Sequence, residues 1–242
     1  MAMTEVAARN GRRRSRLRRI SGHPLFHLVV AILVIAVVQA FFVKVFTVPS
    51  PSMENTLHEG DRILVNRLAY SASHEAADGD VVVFRADESW GHVPEQAVTL
   101  RTVVKTLAGA LGYGSGTEHY LVKRVIGTPG QTVSCCTAMG QLERDGAAVQ
   151  EDYIYRDFPF VPGTLDCSTQ PRSARCFGPV TVPQGRILVM GDHRSDSSDS
   201  VLGCRMPGAT SECVRWVRED EVVGKAFAIF WPLGRIGGID GP

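Results

Sequence analysis

Lysine is scarce in this 242-residue chain: four lysines stand against 22 arginines, so each can be weighed singly. Cysteine is missing from the first 134 residues, and all six (Cys135, Cys136, Cys167, Cys176, Cys204, Cys213) fall in the later part. They form no CxxC pair and have no histidine at zinc-ligand spacing, which excludes a structural zinc module. We expect neither metal nor cofactor. An even cysteine count suits disulfides in an oxidising compartment. Cys167–Cys176 and Cys204–Cys213 each close a short, turn-rich loop and are expected to pair; Cys135 and Cys136 stay open. No internal repeat is present, which excludes a solenoid.

Formal charge is also missing from Leu25 to Val43, "LFHLVVAILVIAVVQAFFV". As a helix this run spans about 28 Å, close to the hydrocarbon thickness of a bilayer. Residues 1–24 carry seven arginines against Glu5, whereas the chain from Val45 onward carries 18 Lys/Arg against 24 Asp/Glu. A basic arm running directly into an apolar stretch points to a membrane rather than to nucleic acid. The bias puts the N-terminus in the cytoplasm and the remainder outside. A cleavable leader has a shorter apolar region of about 7–15 residues and ends at small residues. This run ends in Phe41, Phe42, Val43 and Lys44, so an anchor is expected. The domain reading is a basic cytoplasmic arm (1–24), a transmembrane anchor (25–44) and an extracytoplasmic domain (45–242).

That last part reads as β structure. Arg62–Asn66, Val81–Phe84, Tyr120–Ile126, Ile187–Met190 and Val222–Phe230 are short, β-branched and bounded by glycine or proline. "TPGQTV" is a turn into a strand, and "RDGAAV" carries the Asp-Gly signal of a hairpin. Arg101–Leu111 is helix or strand plus loop, Gly112–Gly116 a flexible loop, and residues 156–180 an irregular insertion. The expected fold is all-β, a mainly antiparallel external domain tethered by one N-terminal transmembrane helix.

Three stretches carry chemistry. In "VPSPSMENTL" Pro49 and Pro51 hold Ser50 and Ser52 on a stiff, extended segment beside the apolar run. In "YLVKRVIG" strand alternation places Lys123 with Leu121 and Val125, and Arg124 on the opposite face. A lysine among apolar neighbours loses solvation of its charged form and gains a proton-accepting amine near neutral pH. Taken alone, an edge-strand lysine reaching solvent is the commoner case. Serine plus buried lysine is a way to activate a hydroxyl without histidine. The third stretch, "VMGDHRSDSSDS", ends a strand in a cluster of Asp and Ser able to neutralise Arg124 and hydrogen-bond an amine.

In this order, "PSPSMENTL", "YLVKRVIGTPG" and "GDHRSDSSDS" resemble the bacterial type I signal peptidases, with "GDRILVNRLAY" and "GDVVVFR" matching the intervening boxes. The resemblance covers about a quarter of the chain. It implies a membrane-bound Ser/Lys protease that cleaves signal peptides of exported preproteins after small residues. By position, Ser52 matches the nucleophile and Lys123 the general base. The Ser50 hydroxyl with the Ser52 N–H matches the oxyanion hole, and Ser197 matches the serine that orients the lysine. Arg124, Asp192 and Asp199 match a supporting salt-bridge network. Val48, Pro49, Met53, Leu57, Leu121 and Val122 match the lining of shallow substrate pockets.

The resemblance further implies signal peptides and the lipid bilayer as partners, no nucleic acid, a monomer, and a bacterial cell-membrane location. It has departures. His193, Ser195 and Asp196 stand where the family often has Asn, Asp and Asn. Val201 replaces an arginine, which leaves the partner of Asp199 open between Arg194 and Arg205. The variable insertion, about 137–180, is short.

Rival readings are a catalytically inactive anchored peptide-binding domain, a self-cleaving regulator, and a Ser/His/Asp hydrolase using His193. The regulator is expected to carry a DNA-binding module, whereas the N-terminus here reads as a basic arm and an anchor. The hydrolase requires adjacent Asp192 and His193 to face each other.

Overall fold

The computed structural model describes residues 23–70, 75–91, 119–206, 208–210 and 212–239. Expectations for the basic arm before His23, for Arg101–Leu111 and for Gly112–Gly116 lie outside the described residues. The apolar run forms α1, Pro24–Phe41, started by Pro24 at its first turn and by His23, whose Nδ1 accepts from the Leu25 N–H. The helix is 18 residues long, about 27 Å. Among the described residues no helix is long and apolar enough to cross a membrane. The helix ends at Phe41. Val43 and Lys44 already belong to β1 (Val43–Thr47), whose β-branched and aromatic residues pair with β2 (Arg62–Asn66) from Val43↔Asn66 to Thr47↔Arg62.

Among the described residues the main sheet has eight strands in the order β1-β2-β11-β3-β4-β9-β10, with β12 (Gly237–Gly238) added to β11. Its other members are β3 (Val81–Arg85), β4 (Tyr120–Gly127), β9 (Arg186–Met190), β10 (Val217–Arg218) and β11 (Val222–Trp231). Every pairing in it is antiparallel. β11 is the longest strand and joins the N-terminal pair β1-β2 to β3 and β4. The last part of the chain therefore holds the first part in place. One side of this region buries Val48, Met53, Leu57, Ile63, Val65, Val81, Val83 and Val122. Another cluster gathers Val82, Phe84, Trp90, Val125, Ile187 and Val189. At about 25 cal/mol per Å² of apolar surface, these alternating residues give each strand its single register.

A second sheet, order β7-β6-β5-β8, is built from Thr132–Cys135 (β5), Leu142–Arg144 (β6), Ala147–Ala148 (β7) and Phe177–Thr181 (β8). The Asp-Gly hairpin forms as expected: Asp145 and Gly146 take φ of 50° and 79° between β6 and β7. The irregular insertion expected over 156–180 ends sooner. From Phe177 the chain is a strand, because Phe177 and Val180 pair across β5 and Phe177 is buried with Val133 and Leu142. Cys167–Cys176 and Cys204–Cys213 are disulfides, and adjacent Cys135 and Cys136 form a third.

Candidate active site

Ser52 lies in a 3-10 turn, Pro51–Met53, between β1 and β2. Two backbone bonds close the base of this loop, Val48 N–H to the Asp61 carbonyl at 2.8 Å and Gly60 N–H to the Val48 carbonyl at 2.9 Å. Met53 and Leu57 fasten it from inside, at 1% and 0% exposure. Pro51 suits the first position of such a turn because its fixed φ and missing donor cost nothing there. The loop is therefore a rigid mount for Ser52, not a slack linker.

β4 supplies Lys123. Its Nζ lies 2.6 Å from Ser52 Oγ and 3.2 Å from the Val122 carbonyl oxygen, and both Ser52 and Lys123 are buried. Burial pushes the Lys123 amine down to about 8, against the opposing pull of the Asp199 and Asp192 charges. A deprotonated amine is thus accessible close to neutral pH, aimed at a hydroxyl. Ser50 Oγ stands 3.3 Å from Ser52 Oγ.

The turn after β9 presses on this pair from behind. His193 N–H donates to the Ser52 carbonyl at 3.1 Å. Gly191 has no alternative, since a Cβ there would overlap both Ser197 Oγ and the Ser52 carbonyl oxygen. Ser197 Oγ occupies that crowded space, buried and with no hydrogen-bond partner among the described residues. The expected Ser197–Lys123 hydrogen bond is not formed, because the serine hydroxyl sits over Gly191 while the amine is engaged by Ser52 and Val122.

Arg124 and Asp192 do meet. The guanidinium donates from Nε at 2.9 Å and from Nη2 at 2.7 Å to the two carboxylate oxygens, and also from Nη1 to the Gly79 carbonyl at 2.9 Å. Both side chains are essentially inaccessible, a burial that is tolerable only with this complete set of partners. Thr56 and Tyr153 complete the arrangement and were not assigned a role from the sequence. Thr56 Oγ1 donates to Asp192 at 2.5 Å and accepts from Arg124 at 3.1 Å, and the Tyr153 ring lies 4.0 Å from the guanidinium carbon. Thr56 stands inside "PSMENTL", so its place in that block was the available signal. Tyr153 had none.

Asp199 pairs with Arg205, not Arg194. Arg205 Nη1 is 3.4 and 3.3 Å from the two carboxylate oxygens, whereas Arg194 is engaged by Glu151. Burial raises the Asp199 carboxyl, with the Arg205 charge the strongest opposing influence.

Of the expected pocket residues, Val48, Met53, Leu57 and Val122 share one buried cluster. Leu121 packs with the cluster of Phe84 and Val125 instead, as strand alternation demands, and Pro49 is exposed. The His193 ring has other neighbours. Its Nδ1 is 3.2 Å from a Glu54 carboxylate oxygen and its ring meets Tyr155 edge-on. Asp192 is already taken by Arg124, so among the described residues Ser52, His193 and Asp192 form no Ser/His/Asp arrangement.

Residues 23–231 match the family described as signal peptidase, peptidase S26. The chain belongs to that family. A probable signal peptidase I of Mycobacterium leprae is 36% identical over 226 residues, covering 87% of this chain and 76% of the relative. A signal peptidase I of Mycobacterium tuberculosis is 37% identical over 220 residues, 86% of this chain and 72% of the relative. Signal peptidase I T of Bacillus subtilis is 28% identical over 209 residues, 86% of this chain and 84% of the relative. This signal peptidase family member is accordingly a peptidase, a hydrolase of peptide bonds.

Proposed function

We propose that this peptidase is a membrane-tethered serine endopeptidase that removes N-terminal signal peptides from exported preproteins, cutting after small residues, with Ser52 as nucleophile and Lys123 as general base. The observation that carries the reading is the 2.6 Å approach of a buried lysine amine to a serine hydroxyl on a rigid turn. Neutral Lys123 takes the hydroxyl proton as Ser52 Oγ attacks the scissile carbonyl carbon. The oxyanion is held by the Ser52 N–H and the Ser50 hydroxyl. Protonated Lys123 then gives its proton to the leaving amine. Water, deprotonated by the same amine, attacks the acyl-enzyme and restores Ser52.

Substrate binds as an extended strand along β4. β9 pairs with β4 only at Arg124, Val125 and Gly127, so the edge of Leu121–Lys123 opposite β3 has no strand partner among the described residues. Val48, Met53, Leu57 and Val122 floor the site with apolar surface, which suits small side chains. Both members of the dyad come from one chain, so a monomer suffices.

The tether is α1. Its residues Leu28, Val29, Leu33 and Val34 are each more than half exposed, apolar surface that water alone does not favour. The arginine-rich arm before it sets the N-terminus inside and the β domain outside. Protease added to intact cells is expected to digest the domain after Val45 and spare the arm; protection of the Arg124 region would reverse the orientation.

The deciding assay incubates detergent-solubilised protein with a preprotein and sequences the product's new N-terminus. Cleavage after a small residue, lost in Ser52→Ala, is expected. Peptide binding without cleavage would establish the inactive binding domain instead.

A further inference from the structure

The cysteines of the second sheet are closer to one another than their pairing requires. Cys135 and Cys136 form one disulfide at the end of β5, and Cys167–Cys176 forms another across a sequence separation of 9. The sulfurs of Cys136, Cys167 and Cys176 all lie within 4.8 Å of one another, although Cys136 belongs to a different bond from the other two. The Cys135 sulfur is not part of this group. Access differs as well. Cys136 and Cys167 are half-buried, whereas Cys135 and Cys176 are buried. Cys167 Sγ also sits 3.6 Å from the Cys135 carbonyl oxygen, which keeps its loop against the end of β5.

We propose that Cys136 is a thiol–disulfide exchange site that takes low-molecular-weight thiols and passes the opening on to the Cys167–Cys176 bond. Exchange proceeds by attack of a thiolate on a disulfide sulfur and needs only proximity, access and a leaving thiolate. A first external thiolate attacks Cys136 Sγ, the accessible end of its bond, forming a mixed disulfide and expelling the Cys135 thiolate, which takes a proton from water. A second external thiolate attacks the outer sulfur of that mixed disulfide, leaving as a symmetrical disulfide and freeing the Cys136 thiolate. Cys136 then attacks Cys167 Sγ. The Cys136–Cys167 bond forms, the Cys167–Cys176 bond breaks, and the Cys176 thiolate is protonated. Overall two external thiols are oxidised to one disulfide, and the protein holds one disulfide fewer, with thiols at Cys135 and Cys176. Cys167 is the sulfur attacked because it is held against the end of β5, 3.6 Å from the Cys135 carbonyl oxygen and next to Cys136. The exchange also touches the region behind the candidate active site. Cys135 and Arg175 line a small cavity together with Glu151, Arg194 and Arg205.

The test uses the full chain. Cys135→Ser leaves Cys136 without its own partner, so no external thiol is needed for the last step. After acid quenching, alkylation in denaturant and non-reducing peptide mapping, the expected products are a Cys136–Cys167 peptide and an alkylated Cys176. An alkylated Cys136 beside an intact Cys167–Cys176 peptide overturns the proposal. Cys136→Ser is the matched control: Cys135 is expected to be alkylated with Cys167–Cys176 intact, and scrambling there would show that proximity is not the cause. Wild-type protein treated with limiting reduced glutathione decides the matter if Cys135→Ser fails to fold. The same Cys136–Cys167 peptide is expected, and its absence while the Cys135–Cys136 bond opens overturns the proposal.

Discussion

Arg205 Nη1 reaches both carboxylate oxygens of Asp199, at 3.4 and 3.3 Å, with the two side chains 5% and 0% exposed. This arginine comes from the loop that the Cys204–Cys213 disulfide closes, and it supplies the cation that Val201 does not. Val201 itself is fully buried in the apolar cluster that includes Leu188, Met190 and Cys204.

Arg205→Ala leaves a buried carboxylate without its partner and is expected to destabilise the fold by about 3 kcal/mol. Urea unfolding checks this. Because burial already raises the Asp199 carboxyl and Arg205 is the main opposing charge, the variant's Asp199 should take up a proton at higher pH than in the parent. A loss under about 1 kcal/mol would place the pair among exposed ion pairs in its effect.

The pH profile follows from Lys123. Only the neutral amine accepts a proton, and the folded value is lowered by burial from 10.5 to about 8. Activity is therefore expected to be low where the ammonium dominates and to rise with pH through about 8, not through the unperturbed lysine range near about 10.4. Lys123→Ala and Ser52→Ala should each abolish turnover. Lys123→Arg should rescue nothing, because guanidinium stays charged. A parent profile flat from pH 6 to about 9 would remove lysine as the base.

Ser50→Ala tests the oxyanion reading. Its hydroxyl is 3.3 Å from Ser52 Oγ, at the start of the turn, and its loss leaves the backbone N–H as the remaining donor. A fall in kcat on the order of a hundredfold to a thousandfold, with folding unchanged by circular dichroism, is expected. A variant with parental kcat would mean that Ser50 only shapes the turn.

His193→Ala separates the two nucleophile schemes. The ring is engaged with Glu54 and Tyr155, and the bond that supports Ser52 comes from the His193 backbone, which alanine keeps. Most activity should survive. A dead histidine variant together with an active Lys123→Ala would replace the Ser/Lys scheme with a Ser/His/Asp one.

Local pattern alone settled much of this molecule. β-branched runs bounded by glycine or proline located β2, β3, β4, β9 and β11, because a two-residue period and stiff side chains favour extended backbone wherever they occur. The same reading found the uncharged helix, the Asp-Gly hairpin and the two disulfides of short separation. It also brought Ser52 and Lys123 to notice, one through flanking prolines and the other through apolar neighbours.

What remained for the tertiary structure were relationships between distant segments. The segment separating Ser52 from Lys123, 71 positions further on, carries no local signal of a 2.6 Å contact, which depends on how β11 clamps β2 beside β3 and β4. Long-range packing decided that Arg205 rather than Arg194 meets Asp199, since Glu151 reaches Arg194 from another loop. It also decided that Val43, the last residue of the apolar run, begins a strand with Lys44. A side chain's type states which partners would satisfy it, but only the closed fold determines which partner is within reach.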